Sequence, residues 1–414
     1  MREMKALPVL VLIAVIAAPT AFAEDPGTAP TRPADRFRGT IQQRPTVPGV
    51  YVEQLPVGAR TIQPAATSVA GFVGATAQGP MDSPKLVTSL AAYQQQFGGP
   101  DADGPVGYAV RLFFDNGGSR AWVVRTDPAA LPGDATNSTG IYALGDADTL
   151  NVLCIPEVSD PAVLTAAEQY CRQRRAFLII DPPAGADSSA AIAAWLQSPG
   201  GPPRTPNCAT YFPWLKVQDA AGSQTLRECG PSGAVAGIFA RTDDARGVWK
   251  APAGTEADLR GVHSLSHALT NADAAELNPR GINALRELPG LGMVAWGART
   301  LSNDPEWRYV PVRRTALMIE ENIDAGTRWV VHEPNAEPTW ANVRAQVEAF
   351  MHDLWRKGAL QGTRPSDAYF VRCDATTTTT ADITLGRLNI LVGFAPTRPA
   401  EFVILTIRQQ AATP

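Results

Sequence analysis

The sequence predicts a mixed fold, α/β over its first two thirds and α+β over its last third. Apolar runs of strand length alternate with helical runs between residues 68 and 217, and the runs NVLCI (151–155) and AFLII (176–180) are apolar on both faces, as central parallel strands between helices must be. Beyond residue 280 the pattern changes to a strand pair and two helices with one apolar face each. The chain has 414 residues, 45% hydrophobic and 18% charged. That balance is the one a folded globular chain needs, and the length allows two or three domains at roughly 100 to 200 residues each.

The elements follow in order. Arg2 and Lys5 precede an apolar run over 6–18, and Ala21, Phe22 and Ala23 precede Glu24. A positive start, an apolar centre about half as long as a membrane-spanning helix and small residues at a cut describe a cleaved secretory signal over 1–23. An uncleaved anchor is the other reading. No later stretch is long and apolar enough to span a bilayer. Residues 24–44 are rich in Pro, Thr, Ala and Arg without an apolar period and read as a flexible linker. TVPGVYVEQLP (46–56) is a short β-type run bounded by Pro-Gly and Pro, set apart from the next strand, and reads as an extended arm. Linker and arm together cover 24–61.

An N-terminal α/β part over 62–128 follows, with strands at 68–74 and 120–125 around helices at 89–97 and 107–116, the second stopped by Asn-Gly-Gly. A middle domain over 129–262 takes strands at 150–156, 176–181 and 209–217 and helices at 161–174 and 188–197. The last part, 263–414, opens on strands at 282–288 and 293–298 joined by Pro289-Gly290. A helix over 312–325 presents Val312, Ala316, Ile319 and Ile323 and stops at Gly326. A second, over 340–357 with Thr339 as N-cap, presents Val343, Val347, Phe350, Met351, Leu354 and Trp355. Strands are expected at 329–332, 369–372 and 387–392. A final strand at 401–407 is apolar on both faces and must be covered on both sides, by its own sheet or by another chain.

Charge and motifs exclude several functions. A formal net charge of −4, with no basic run interleaved with aromatics, gives no attraction for phosphate backbones, so nucleic acid is not an expected partner. His263 and His267 stand four apart, but position 264 is Ser where a zinc hydrolase needs Glu. Gly230-Pro-Ser-Gly233 lacks the Lys-Ser/Thr ending of a phosphate loop and reads as a turn into a helix. No GxSxG elbow occurs. The neighbouring acids Glu320 and Glu321, and Asp243 and Asp244, read as solvated faces. No metal, cofactor, small-molecule substrate or catalytic residue is expected. Five widely spaced cysteines make no CxxC pair. They read as buried small hydrophobes, and the alternative is a disulfide between Cys208 and Cys229, which bracket a hairpin turning at 219–222.

Several segments together resemble the contractile tail sheath family of myophages and of phage-like contractile injection particles. They are PGVYVEQLP (48–56), TSVAGFVGATAQGP (67–80), FFDNGGSRAWVVR (113–125), the run from Leu277 to Arg314 that contains WGARTLSNDPEWRYVPVRR, FVRCD (370–374) and PAEFVILTI (399–407). They run in family order over nearly the whole chain after residue 23. The resemblance implies a subtilisin-like, non-catalytic three-layer sheath domain in the middle, a C-terminal α+β sheath domain, and arms at both ends. Val50, Tyr51, Val52 and Glu53 match the first arm; Phe402, Val403, Ile404, Leu405, Thr406 and Ile407 match the second. It further implies a subunit that lends these strands to sheet edges of other copies, stacks in six-fold rings around a tail tube above a baseplate, and contracts without a cofactor. The signal-like start supports a rival reading, an exported sheath homologue serving as an envelope or surface scaffold without contraction. An enzyme of the subtilisin or α/β-hydrolase class is the third.

Overall fold

The computed structural model describes residues 10–15, 61–99, 104–219 and 225–401. The chain forms two compact units, residues 63–325 with 396–414, and residues 1–62 with 326–395. The first strand, β1 (Leu10–Val15), belongs to the second unit. The first unit then runs through β2 (Ala70–Gly74), β3 (Lys85–Val87), α1 (Leu90–Phe97), α2 (Pro105–Asp115), β4 (Ala121–Arg125), β5 (Val152–Cys154), α3 (Pro161–Gln173), β6 (Phe177–Ile180) and α4 (Ser189–Gln197). It continues with β7 (Cys208–Phe212), β8 (Leu215–Gln218), β9 (Leu226–Cys229), α5 (Ser232–Arg246), β10 (Ser264–Leu265), α6 (Asn271–Leu277), β11 (Ile282–Leu288) and β12 (Gly292–Ala295). Helix α7 (Val310–Thr327) crosses into the second unit, which adds α8 (Glu337–Arg356), α9 (Pro365–Ala368), β13 (Tyr369–Arg372), α10 (Thr380–Thr384) and β14 (Asn389–Phe394).

Eight strands of the first unit make one sheet in the order β12-β11-β7-β6-β5-β2-β4-β3. The six central strands pair in parallel, and β12 and β3 close the two edges antiparallel. Parallel strands need both faces covered, and their side chains obey this by alternation. Phe72, Cys154, Ile179 and Tyr211 enter a cluster with α2 and α5, while Val73, Leu153, Leu178 and Phe212 enter another with α3 and α4. The segments 62–128 and 129–262 thus contribute strands to a single sheet. Local chemistry starts the helices where the sequence indicates: Ser89, Asp160 and Ser188 each accept a backbone N–H of α1, α3 and α4 on their side-chain oxygens, and Thr270 and Asp273 form a capping box on α6.

The turn at 230–233 leads into α5, and two glycines set how closely that helix approaches α2. A Cβ on Gly233 would lie 2.2 Å from the Ala109 carbonyl oxygen, and one on Gly237 would lie 2.5 Å from that of Phe113. Only glycine at both positions lets the two backbones meet.

In the second unit β14 is the middle strand of the order β1-β14-β13, antiparallel to β13 and parallel to β1. Helix α8 packs beside β13 and buries Val343, Val347, Phe350, Met351 and Leu354, the expected stripe, with Trp355 half-buried at its end.

Several expected elements differ. The run 209–217 is two strands in two sheets, because Pro213 cannot donate to a ladder: β7 stays in the large sheet, and β8 joins β9 and β10 in a small one. The run 329–332 is a 3-10 turn over Arg328–Val330, after which His332 takes a φ of 75°, which no strand accommodates. Helix α7 passes through Gly326 to Thr327; that glycine serves close packing, since a Cβ there would lie 2.7 Å from Ile62. Helix α8 starts at Glu337 with Pro338 in its first turn, so Thr339 lies inside the helix and is not its cap.

Candidate assembly edges and the clasps that hold them

Glu401, the first residue of the expected terminal strand, is the last described residue, and its carboxylate is held from two directions. Arg299 Nε donates to Oε1 at 2.8 Å, Arg299 Nη2 donates to Oε2, and the Tyr309 hydroxyl donates to Oε2 at 3.3 Å. The fork of an arginine on a carboxylate is among the strong polar contacts of proteins. Hydrogen bonding to Glu401 raises the pKa of Arg299. Arg299 is itself fixed. Asn283, fully buried on β11, accepts its backbone N–H at 2.6 Å and donates to its carbonyl at 2.8 Å and to Thr210 on β7 at 3.1 Å. The root of the terminal segment is thereby tied through one asparagine to the large sheet.

A second edge is in the other unit. β14 pairs with β1 over six positions, from Leu10 opposite Asn389 to Val15 opposite Phe394. A strand taken from 379 residues away in the sequence shows that this edge accepts an added strand in parallel.

The arrangement nearest to chemistry lies at the end of β6. Asp181 accepts the backbone N–H of Ser232 at 2.8 Å, the Ser232 hydroxyl at 2.8 Å and the backbone N–H of Glu157 at 2.9 Å. Burial pushes its pKa up from the ordinary aspartate value of 3.8 to about 6, against the pull of those donors. A Cβ on Gly230 would lie 2.2 Å from its Oδ2, so the turn before α5 is shaped around the carboxylate. Ser232 is fully buried and its hydroxyl proton is directed to Asp181. The group acts as a clasp between β6 and the start of α5, where a negative charge is favoured by the helix dipole.

A further clasp corrects the reading of Asp243 as solvated. Arg314 on α7 donates Nη1 to Asp243 Oδ1 at 2.9 Å and Nη2 to Oδ2 at 2.7 Å; Thr67 adds its hydroxyl to Oδ2 at 2.7 Å. The guanidinium carbon lies 4.6 Å from the centre of the Phe239 ring. Glu320 and Glu321 are likewise paired, with Arg313 at 3.3 Å and Arg175 at 3.1 Å. A signal for the first pair was present, since Arg314 stands four residues after Val310 and three before Leu317, on an apolar stripe. A charge on such a stripe requires a buried partner.

A model of the phage tail sheath protein central domain matches residues 135–301, and one of the phage tail sheath C-terminal domain matches residues 302–410. The helical sheath of the anti-feeding prophage in its contracted state is 32% identical, with a TM-score of 0.71, over 88% of this chain and 100% of that one. The chain belongs to the phage tail sheath family. A sheath complex of an extracellular contractile injection system, also contracted, is 31% identical over 89% of this chain and 99% of that one, with a TM-score of 0.72. A prophage major tail sheath protein of Pseudomonas aeruginosa is 27% identical over 85% of this chain and 94% of its own length. This is a structural sheath family.

For this sheath chain, the arm residues Val50 to Glu53 and Phe402 to Ile407 lie outside the described residues, as do residues 220–222 of the turn expected at 219–222. The Cys208–Cys229 disulfide is not formed: both are free and buried, Cys208 in the cluster on one face of the large sheet and Cys229 in the cluster on the other. The break at Pro213 separates Cys208 from the hairpin and leaves it there. His263 and His267 flank β10 rather than sharing a helix face, and His263 donates its backbone N–H to Lys216 at 2.8 Å. Among the described residues no cluster of three His, Cys, Asp or Glu could hold a metal, and no helix is long and apolar enough to cross a membrane.

Proposed function

We propose that this sheath protein polymerises with copies of itself by strand exchange, forming stacked rings of six around a tail tube above a baseplate, and that the sleeve contracts. The observation that carries the reading is the β14 edge, which takes a strand from a distant part of the chain along its whole length. Main-chain bonding of this kind is independent of side-chain identity except at alternate positions, so a terminal strand of a second copy fits the same edge. Head-to-tail donation does not close on itself and generates helical assemblies. At about 1 kcal/mol net per hydrogen bond, a few bonds per strand keep copies linked while their bodies rotate. The contracted state of two similar sheaths supports the contraction, and a solved baseplate of the anti-feeding prophage containing a chain 32% identical supports the baseplate as partner. The parallel sheet covered on both faces supports the finer likeness of residues 129–262 to a subtilisin-like domain without its catalytic residues.

Deleting residues 402–414 while keeping Glu401 tests this. The chain 24–401 should stay folded and monomeric, while the chain 24–414 forms sleeves in negative-stain images. Sleeves from both would end the strand-exchange reading. Export through the signal-like start belongs to the same proposal, and N-terminal sequencing of protein recovered outside the cytoplasm should begin at Glu24.

A further inference from the structure

Resting on the strand-exchange reading, we infer that the apolar leader of this chain is its own assembly plug: β1 occupies the β14 edge and keeps it from a second copy until cleavage after Ala23 removes it. β14 has two sides. β13 holds one of them over Tyr369 to Arg372, and β1 holds the other from Leu10 opposite Asn389 to Val15 opposite Phe394. An edge paired along its length presents no row of unbonded N–H and C=O groups to another chain.

The leader and the terminal strand are also equivalent as occupants. LVLIAV (10–15) and FVILTI (402–407) are both six residues long, uncharged and free of Gly and Pro; the first is apolar at every position and the second at all but Thr406. β14, itself six residues long, fits either in length. The two segments therefore compete for one edge. A strand tethered to its own acceptor competes as an intramolecular ligand, so the intact leader holds the edge against a copy that must arrive from solution. The small-residue site at 21–23 lies after the whole of β1, so a single cut there removes every paired residue. Leaving the edge free would also invite unspecific edge-to-edge aggregation, which the plug prevents before export.

Two measurements on the full chain and on the chain beginning at Glu24 test the plug. Hydrogen–deuterium exchange, at concentrations where both are monomeric, should show those amides among 390–392 that point to β1 rather than β13 exchanging at least tenfold faster without the leader. Light scattering should show the chain from Glu24 polymerising at a concentration at least tenfold lower. Paired substitutions Leu12→Pro and Ile13→Pro in the full chain should reproduce both effects, because one of two adjacent residues donates to β14 and proline removes that donor. Equal exchange at 390–392 in the two forms overturns the plug. So does equal polymerisation, which leaves strand exchange intact. A chain from Glu24 that never polymerises overturns the strand-exchange reading instead, and the exchange data then decide the plug alone.

Discussion

Arg314 and Asp243 meet as a two-pronged ion pair with side chains only 3% and 2% exposed. Through Thr67, which donates to Asp243 and whose carbonyl accepts from Arg314 at 2.9 Å, the pair joins α7 and α5 to the segment entering β2. Burial pushes the Asp243 pKa up and the guanidinium pulls it back. Two buried charges of this kind depend on each other more than the fold depends on both.

Removing one partner should therefore be worse than removing both. Arg314→Met leaves Asp243 buried without a counter-charge and is expected to cost about 3–5 kcal/mol. The double variant Arg314→Met with Asp243→Leu should recover much of that loss. Urea unfolding of the single and double variants gives the comparison, and simple additivity would contradict it.

At Gly233 two effects oppose. On an open helix surface Gly→Ala stabilises by about 1 kcal/mol. Here the added Cβ would lie 2.2 Å from the Ala109 carbonyl oxygen, a backbone atom that cannot swing away. Overpacking of about 1–3 kcal/mol or more should win, so Gly233→Ala lowers the melting temperature.

Asp181 should leave a mark on the pH dependence of stability. Its folded pKa of about 6 lies above the ordinary value of 3.8, so the folded state binds the proton more tightly. The cost of burying its charge is fully present above about pH 6 and disappears as pH falls towards 4. Asp181→Asn titrates in neither state: it removes that cost but leaves at least one of the three donors without an acceptor, a penalty of about 1–3 kcal/mol that does not depend on pH. The stability of the native chain relative to this variant should therefore rise from pH 7 to pH 4 in urea titrations.

Glu401→Ala should act on assembly more than on the fold. The pair is mostly buried, so Arg299 left without its acceptor should cost the monomer about 1–3 kcal/mol without unfolding it. The terminal strand then leaves from an unfixed root. The onset concentration of polymerisation should rise several-fold, read by light scattering on the chain from Glu24.

Local signals were legible where one residue type decides an outcome. The double-faced apolar runs became β5 and β6, and the α8 stripe is buried as its spacing indicated. The family was readable too, from the runs around Trp296 to Arg314 and Pro399 to Ile407. Reading failed where distant residues decide. Asp243 looks solvated beside Asp244 until α7 brings Arg314 over it, and residues 209–217 look like one strand until two sheets claim its halves.

The sequence by itself determined the alternation of strands and helices, the signal-like start and membership of the sheath family, because each rests on residues adjacent in the chain. Only the tertiary structure decided the sheet order, the buried ion pairs, the separation of Cys208 from Cys229 and the seating of β1 on β14. Those depend on which segments meet in space. Nearly every residue carries the same backbone donor and acceptor, so a strand's pattern shows that it needs a partner edge but not which edge it takes.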